Sequence, residues 1–90
     1  MRRLAFGSQY KRDLRKSVKQ GRKTEDLLAV IRLLQADAQI SDKYHDHALH
    51  GNWEGYRDIH VSPDWLLIYK KIGDDILALT RLGSYAELYD

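Results

Sequence analysis

The sequence contains no cysteine and only one proline among its 90 residues. Without cysteine, the chain cannot form disulfide bonds or cysteine-ligated zinc and iron–sulfur sites. Its longest apolar run, Trp65–Tyr69, is far shorter than the roughly 20 residues that cross a bilayer. The apolar stretch Leu4–Phe6, which follows a basic start, is too short for the core of a signal peptide. We therefore expect a cytoplasmic protein.

The composition is typical of a single small globular domain. Hydrophobic residues make up 43% of the chain and charged residues 31%, a balance that disordered chains do not have. Ninety residues are enough for one sheet with a couple of helices. We predict one domain over residues 1–90.

The formal net charge of +2 averages two unlike regions. Residues 1–23 hold nine Lys or Arg and one acid, Asp13, whereas residues 24–90 hold six Lys or Arg and twelve acids. A charge run is usually a solvated surface, but one this concentrated indicates a polyanionic partner such as nucleic acid. The candidate nucleic-acid-binding residues are Lys11, Arg12, Arg15, Lys16, Lys19, Arg22 and Lys23.

Hydrophobic spacing predicts a strand and two antiparallel helices in the first part of the chain. The strand covers Arg2–Phe6. The first helix, with Ser8 as its expected N-cap, runs to about Gln20 and buries Tyr10, Leu14 and Val18. The second helix begins at Thr24, again through a hydroxyl cap. Its expected apolar stripe is Leu27, Leu28, Ile31 and Leu34, with Val30 at the edge.

The second part of the chain has the pattern of an antiparallel meander. Three strands are predicted at Tyr56–Ser62, Trp65–Lys71 and Ile76–Leu82, with a shorter one at His47–His50. Ser84 and Glu87 have the spacing of a capping box, which predicts a final helical turn. The predicted fold class is α+β: an N-terminal strand, two helices packed on a twisted, mainly antiparallel sheet, and a short C-terminal helical turn.

The residues most suited to chemistry surround His60. Alternation along its strand places His60 on one face with Tyr56 and Asp58. A lone histidine is more often structural than catalytic, but Asp64 could orient this imidazole and Arg81 could neutralise a phosphate. His45, His47 and His50 also suggest a metal site, yet no established zinc spacing is completed, and exposed loop histidines are the plainer interpretation.

One long spaced string carries a family resemblance. It reads Asp46-His47-x-Leu49-x-Gly51-x-Trp53-x-Gly55-Tyr56-Arg57-Asp58-x-His60-Val61-x-Pro63-Asp64-Trp65, and the match continues at Arg81-Leu82-Gly83-Ser84-Tyr85 and at Leu88-Tyr89. The string resembles the YafQ-like branch of the RelE/ParE superfamily of bacterial toxins. The N-terminal strand and helices match that branch in order and length rather than in motif.

The resemblance implies the toxin of a type II toxin–antitoxin pair, an endoribonuclease that cleaves mRNA in the ribosomal decoding site. It also implies no cofactor, no metal, and a cognate antitoxin as partner. By position, the catalytic residues would be His47, His60, Asp64, Arg81 and Tyr85. Trp65, Tyr89 and Arg57 would bind substrate. Tyr85 departs from the family pattern, which usually has histidine there.

The chemistry can be reasoned beside the family name. RNA supplies its own nucleophile, the 2′-hydroxyl, so the protein must remove that proton, protonate the leaving 5′-oxygen and stabilise the phosphoryl oxygens. His60 or His47 would be the base, with Asp64 assisting or taking that role, and Arg81 the phosphate clamp. Three interpretations of Tyr85 remain open. It is a phenol that works as the general acid, the mark of a naturally attenuated toxin, or an introduced substitution. A phenol, with a pKa of about 10, suits acid catalysis near neutrality less well than imidazole.

Two other functions remain open from the sequence. The chain could be a ParE-like toxin that inhibits a protein target without cutting RNA, which the His47, His60 and Asp64 set argues against. It could also be a small metal-dependent or nucleic-acid-binding module unrelated to toxicity.

Overall fold

The computed structural model describes all 90 residues. In chain order, the elements are β1 (Arg3–Phe6), α1 (Ser8–Lys19), α2 (Thr24–Gln35), β2 (His47–Ala48), β3 (Arg57–Ser62), β4 (Trp65–Ile72), β5 (Ile76–Gly83) and α3 (Tyr85–Tyr89). Two 3-10 turns, Asp42–Tyr44 and Gly51–Trp53, lie on either side of β2. The predicted α+β class is confirmed, and every predicted strand is present, although β2 is shorter than expected. None of the helices has the length and apolar character needed to cross a membrane.

The five strands form one sheet in the order β1-β5-β4-β3-β2. β1 runs parallel to β5, and the other three pairings are antiparallel. The register shifts once between β3 and β4 near Val61, and once between β4 and β5 near Thr80. Such bulges bend a strand and redirect its side chains. Both lie toward the end of the sheet where the Pro63–Asp64 turn meets the start of α3.

Both long helices cover the same face of the sheet, α1 on β5 and α2 on β3. The core between them is apolar, and its most buried strand residues are Ile59, Leu67, Leu77 and Leu79, each 0% exposed. A second, smaller cluster of Leu66, Ile68 and Leu88 lies on the other face. That face has no long helix over it and is called the open face below.

The buried face of α1 differs from the predicted one. Tyr10 is buried as expected and Leu14 is half-buried, but Val18 is 54% exposed, whereas Asp13 and Ser17 are buried. The reason lies in tertiary hydrogen bonds. Ser17 Oγ accepts a bond from the Trp65 indole, and Asp13 Oδ2 accepts one from the Leu82 backbone N–H. The buried face of α1 therefore contains the polar residues Asp13 and Ser17 in place of Val18.

Two further details of the helices correct the sequence-based expectations. In α2, Val30 is 1% exposed and Leu28 is 50% exposed, so Val30 belongs to the core stripe and Leu28 does not. Ser8 and Thr24 are the first residues of their helices rather than caps, and neither helix has a side-chain cap. The capping box of α3 is confirmed, since Ser84 and Glu87 exchange both hydrogen bonds.

Candidate active site

A cavity of about 300 Å³ opens on the open face of the sheet, and we call it the open-face cavity. It is formed where β2, β3 and β4 meet α3. Five of its seven residues carry groups that can exchange a proton, and two leucines form the rest of its wall. The lining residues are His47, Leu49, Asp58, His60, Leu66, Tyr85 and Tyr89.

His47 is held in a defined orientation at the edge of this cavity. Its Nδ1 lies 2.8 Å from the carbonyl oxygen of His45. A carbonyl oxygen only accepts, so Nδ1 carries the proton in this contact and Nε2 is left available for proton transfer. His47 also pairs with Asp58 across β2 and β3, with its Nδ1 3.2 Å from Asp58 Oδ1. A carboxylate at that distance stabilises the imidazolium form.

Asp58 lies beneath the cavity and is 3% exposed. Its Oδ2 accepts a hydrogen bond of 2.6 Å from the Tyr89 hydroxyl, while Oδ1 has no hydrogen-bond partner. Burial, together with this bond to a carboxylate, raises the pKa of Tyr89. Asp58 was placed on the His60 face from the sequence but was given no role. The signal for one was its alternation with His60 along the same strand.

His60 lies half-buried near the end of β3, on the wall between two cavities. Its ring centroid is 5.0 Å from that of His45. The predicted alternation is confirmed, because His60 and Asp58 both line the open-face cavity and Ile59 is in the core on the other face.

Tyr85 is 62% exposed at the start of α3, with its ring centroid 5.0 Å from that of Tyr89. Its backbone N–H donates to Asp64 Oδ1 over 3.2 Å. Asp64 is not among the lining residues of the open-face cavity. Instead, its hydrogen bond connects the Pro63–Asp64 turn to the first residue of α3. This bond fixes the position of the Tyr85 backbone.

Arg81 extends toward α1, where it forms an ion pair with Asp13. Asp13 has no role predicted from the sequence. Its Nε donates to Asp13 Oδ2 over 2.8 Å, and Asp13 is 8% exposed. Across β4 and β5, Arg81 pairs with Ile68, which belongs to the open-face cluster. The sequence carried a signal for Asp13, since it is the only acid in the basic N-terminal segment.

Two residues predicted to bind substrate lie elsewhere. Trp65 is 1% exposed, and its indole N–H donates to Ser17 Oγ over 3.1 Å, so the ring has no free face on which a base could stack. Arg57 pairs with Asp46, which also accepts a 2.5 Å bond from the Tyr69 hydroxyl. Burial, and secondarily the bond to Asp46, raises the pKa of Tyr69. Both residues therefore support the site from the helix-covered side.

The basic segment, residues 1–23, forms a surface that contacts the Pro63–Asp64 turn and α3. All its candidate residues are exposed except Arg22, which is half-buried. Arg22 donates to the Asp64 carbonyl oxygen over 3.0 Å and lies over the Trp65 ring. Lys16 pairs with Glu87 at 2.7 Å, which joins α1 to α3. The basic segment is thus connected to the Pro63–Asp64 turn, which contains Asp64, and to α3, which begins at Tyr85.

Residues 2–90 match the family described as "Bacterial toxin of type II toxin-antitoxin system, YafQ". The chain belongs to the YafQ family of type II toxins. Among its relatives, the "mRNA interferase toxin YafQ" of Escherichia coli strain K12 is 37% identical over 89 residues, which cover 98% of this chain and 96% of that protein. The family assignment confirms the resemblance found in the spaced string.

Solved structures of YafQ-like toxins have the same fold. The DinJ-YafQ toxin-antitoxin complex of E. coli matches with a TM-score of 0.88 and 37% identity, covering 99% of this chain and 98% of that one. A copper-bound mutant toxin from Helicobacter pylori matches with a TM-score of 0.91 and 35% identity, covering 99% and 100%. In this chain, no three His, Asp or Glu side chains converge as a metal site.

Proposed function

We propose that this YafQ-family chain is a toxin that cleaves mRNA on the ribosome, in the cytoplasm, without a resident cofactor. The observation that carries the proposal is the open-face cavity, which brings two imidazoles, a buried carboxylate and an exposed phenol to one opening. No serine or cysteine nucleophile lies there, and RNA cleavage needs none, because the 2′-hydroxyl attacks. The E. coli relative that is named an mRNA interferase supports this assignment.

His47 is the proposed general base. Its Nδ1 proton is held by the His45 carbonyl, so Nε2 is free to take the proton of the 2′-hydroxyl. The O2′–P bond forms as the P–O5′ bond breaks. Asp58 stabilises the imidazolium that results, since its Oδ1 is 3.2 Å from His47 Nδ1. The products are a 2′,3′-cyclic phosphate and a 5′-hydroxyl end.

Tyr85 is the proposed general acid for the leaving oxygen. It is exposed at the rim of the cavity, and the Asp64 contact fixes its backbone. The developing charge on the phosphoryl oxygens is stabilised by a hydrogen bond from His60 and by Arg81, whose guanidinium is oriented by Asp13. Tyr89 holds Asp58 in place from below.

The two macromolecular partners are a cognate antitoxin and the ribosome. The basic segment provides sequence-independent affinity for ribosomal RNA phosphates. The same positive surface would attract an acidic antitoxin segment. The E. coli relative, which is solved in complex with DinJ, supports an antitoxin partner for this chain.

Primer extension on a model message, with and without ribosomes, tests the proposal. We expect discrete cuts that need ribosomes, leave 5′-hydroxyl ends and persist when the toxin is stripped of transition metals before ribosomes are added. His47→Ala should reduce cleavage at least about 100-fold. His50→Ala is the matched control, because His50 is an exposed histidine of the same segment that does not line the cavity.

Three results would contradict the proposal. Growth arrest without any cleavage would indicate a protein target instead. Cleavage that is lost when the toxin alone is stripped of transition metals, and restored when such a metal is returned to it, would exclude the metal-independent mechanism. Equal loss of activity in the two histidine variants would mean that the open-face cavity is not the reaction site.

A further inference from the structure

A second and larger cavity, of about 590 Å³, adjoins the open-face cavity. It lies between the first turn of α2, the 3-10 turn Asp42–Tyr44 and the end of β3, and we call it the loop cavity. The proposed mechanism leaves it unused. The lining residues that matter here are Asp26, Lys43, Tyr44, His45 and His60.

Two contacts place the loop cavity directly beside the reaction site. His60 lines both cavities, and its ring lies 5.0 Å from the ring of His45. The carbonyl oxygen of His45 accepts the hydrogen bond that orients His47. A ligand in the loop cavity is therefore next to any phosphate that reacts between His47 and His60.

The backbone of His45 is held in a conformation that non-glycine residues adopt rarely. Its φ is 49°, in the left-handed region, directly after the 3-10 turn. Backbone strain of this kind is concentrated at functional sites. Here it lets one residue present its ring to the loop cavity and its carbonyl oxygen to His47.

The lining chemistry is that of a nucleotide site. His45 supplies a ring on which a base can stack. The ammonium group of Lys43, 5.1 Å from the Tyr44 ring centroid, can pair with a phosphate. Asp26 is exposed and forms no ion pair within the chain, so its carboxylate is free to accept hydrogen bonds.

We propose that the loop cavity binds the nucleotide next to the scissile phosphate and selects bases that carry an exocyclic amino group. This inference rests on the proposed RNA cleavage. A carboxylate accepts hydrogen bonds from the amino groups of adenine, cytosine and guanine. Uracil offers one N–H between two carbonyl oxygens, and these repel Asp26. Uracil is therefore the disfavoured base.

Binding of single nucleotides tests the proposal without requiring cleavage. The isotopically labelled chain is titrated separately with AMP, CMP, GMP and UMP and followed by NMR. We expect shifts at Asp26, at Lys43–His45 and at His60, with UMP at least about fivefold weaker than the other three. In Asp26→Asn, UMP should gain relative to the others, because the amide can donate as well as accept.

Glu25→Gln is the matched control for Asp26→Asn. Both residues are exposed acids in the first turn of α2, so both variants lose the same charge at the same helix end. Only Asp26 lines the loop cavity. The base preference of Glu25→Gln should equal that of the parent chain.

Primer extension on ribosomes provides the second measurement. On messages that differ in one nucleotide beside the cut, Asp26→Asn should reduce the discrimination against uracil, and Glu25→Gln should not. Equal binding of the four nucleotides, or no shifts at the loop cavity, would overturn the inference while leaving the cleavage mechanism standing. A parent chain that binds nucleotides with the expected preference but never cuts mRNA would refute the proposed function instead.

Discussion

The two faces of the sheet treat the same kinds of side chain in opposite ways. On the helix-covered face, Tyr10 is 2% exposed, and burial raises its pKa to about 12. On the open face, Tyr85 is 62% exposed and lies at the rim of a cavity. One phenol is therefore fixed in its neutral form inside the core, and the other lies where we propose that it donates a proton. The surroundings of each tyrosine in the fold, not its residue type, distinguish the two.

The polar groups of the two faces differ in the same way. On the covered side, the Trp65 N–H, Ser17 and the Tyr69 hydroxyl all have partners within the chain. On the open side, Asp58 Oδ1 is buried without a hydrogen bond, and His47 Nε2 is free of the contact that fixes Nδ1. An unsatisfied buried group costs stability, so its persistence next to two imidazoles is consistent with a functional role.

The largest expected effect concerns the Tyr85 hydroxyl. Tyr85→Phe removes the proposed acid without changing the ring, and we expect mRNA cleavage to fall at least about 100-fold. Tyr85→His should retain or raise the rate, since imidazole suits acid catalysis near neutrality. Single-turnover primer extension measures both. If Tyr85→Phe cuts as fast as the parent, the open face does not use this phenol. If Tyr85→His merely equals the parent, this position does not limit catalysis.

The second prediction sharpens the role of the covered face. Trp65→Phe loses the indole N–H and leaves buried Ser17 without its donor, so the free energy of unfolding should fall by about 1–3 kcal/mol. Cleavage per folded molecule should be unchanged. Trp53→Phe, at a half-buried ring outside the main core, is the control and should cost less. Denaturant unfolding beside the cleavage assay makes the comparison, and a loss of activity at full stability would place Trp65 in the substrate site.

The third prediction concerns the basic segment, whose exposed cations lie mostly on α1. Arg15→Glu should weaken ribosome binding and lower the salt dependence of log Kd by about one unit, since one phosphate contact is lost. Arg15 is a better test position than Lys16, because Lys16 is paired with Glu87 and its replacement would also break that contact. Arg32→Glu, on the exposed side of α2, is the matched control. Sedimentation binding at several salt concentrations measures both, and undiminished binding would exclude α1 from the interface.

The smallest expected effect is on the contact that joins α1 to α3. The hydrogen bond from Lys16, with the Ser84 backbone N–H second, lowers the pKa of Glu87 from 4.5 to about 2. The ionised carboxylate therefore stabilises the fold above pH 4.5, and this contribution is lost as the pH falls toward 2. Glu87→Gln should cost less than about 1 kcal/mol at pH 7, because the pair is partly exposed.

Thermal unfolding of the parent and Glu87→Gln between pH 2 and pH 7 checks the sign. The difference between them should shrink below pH 4.5 and vanish near pH 2. Glu54→Gln, which removes an exposed carboxylate from a loop, should show a smaller difference at neutral pH. A difference that grows as the pH falls would contradict the assigned pairing.

The sequence was sufficient for the strands but less so for the helix faces. Alternation correctly placed His60 and Asp58 on the same face of β3, because a strand has only two sides. Helical spacing alone assigned Val18 to the core, although it is exposed and Ser17 is buried. Which of these two residues is buried depends on the Trp65 indole, 48 residues away, because its N–H donates a hydrogen bond to Ser17. A periodic pattern cannot show a partner so distant in the chain.

By itself, the sequence determined the α+β class, the family and the residue types available for chemistry, since these depend on local periodicity and on a long spaced string. Only the tertiary structure decided which of those residues meet. It brought His47, Asp58, His60 and Tyr85 to one cavity, assigned Arg57 and Trp65 to supporting contacts, and joined Arg81 to Asp13. The physical reason is that strand pairing and bulges set the distances between groups far apart in sequence, and these distances determine whether a proton can pass between them.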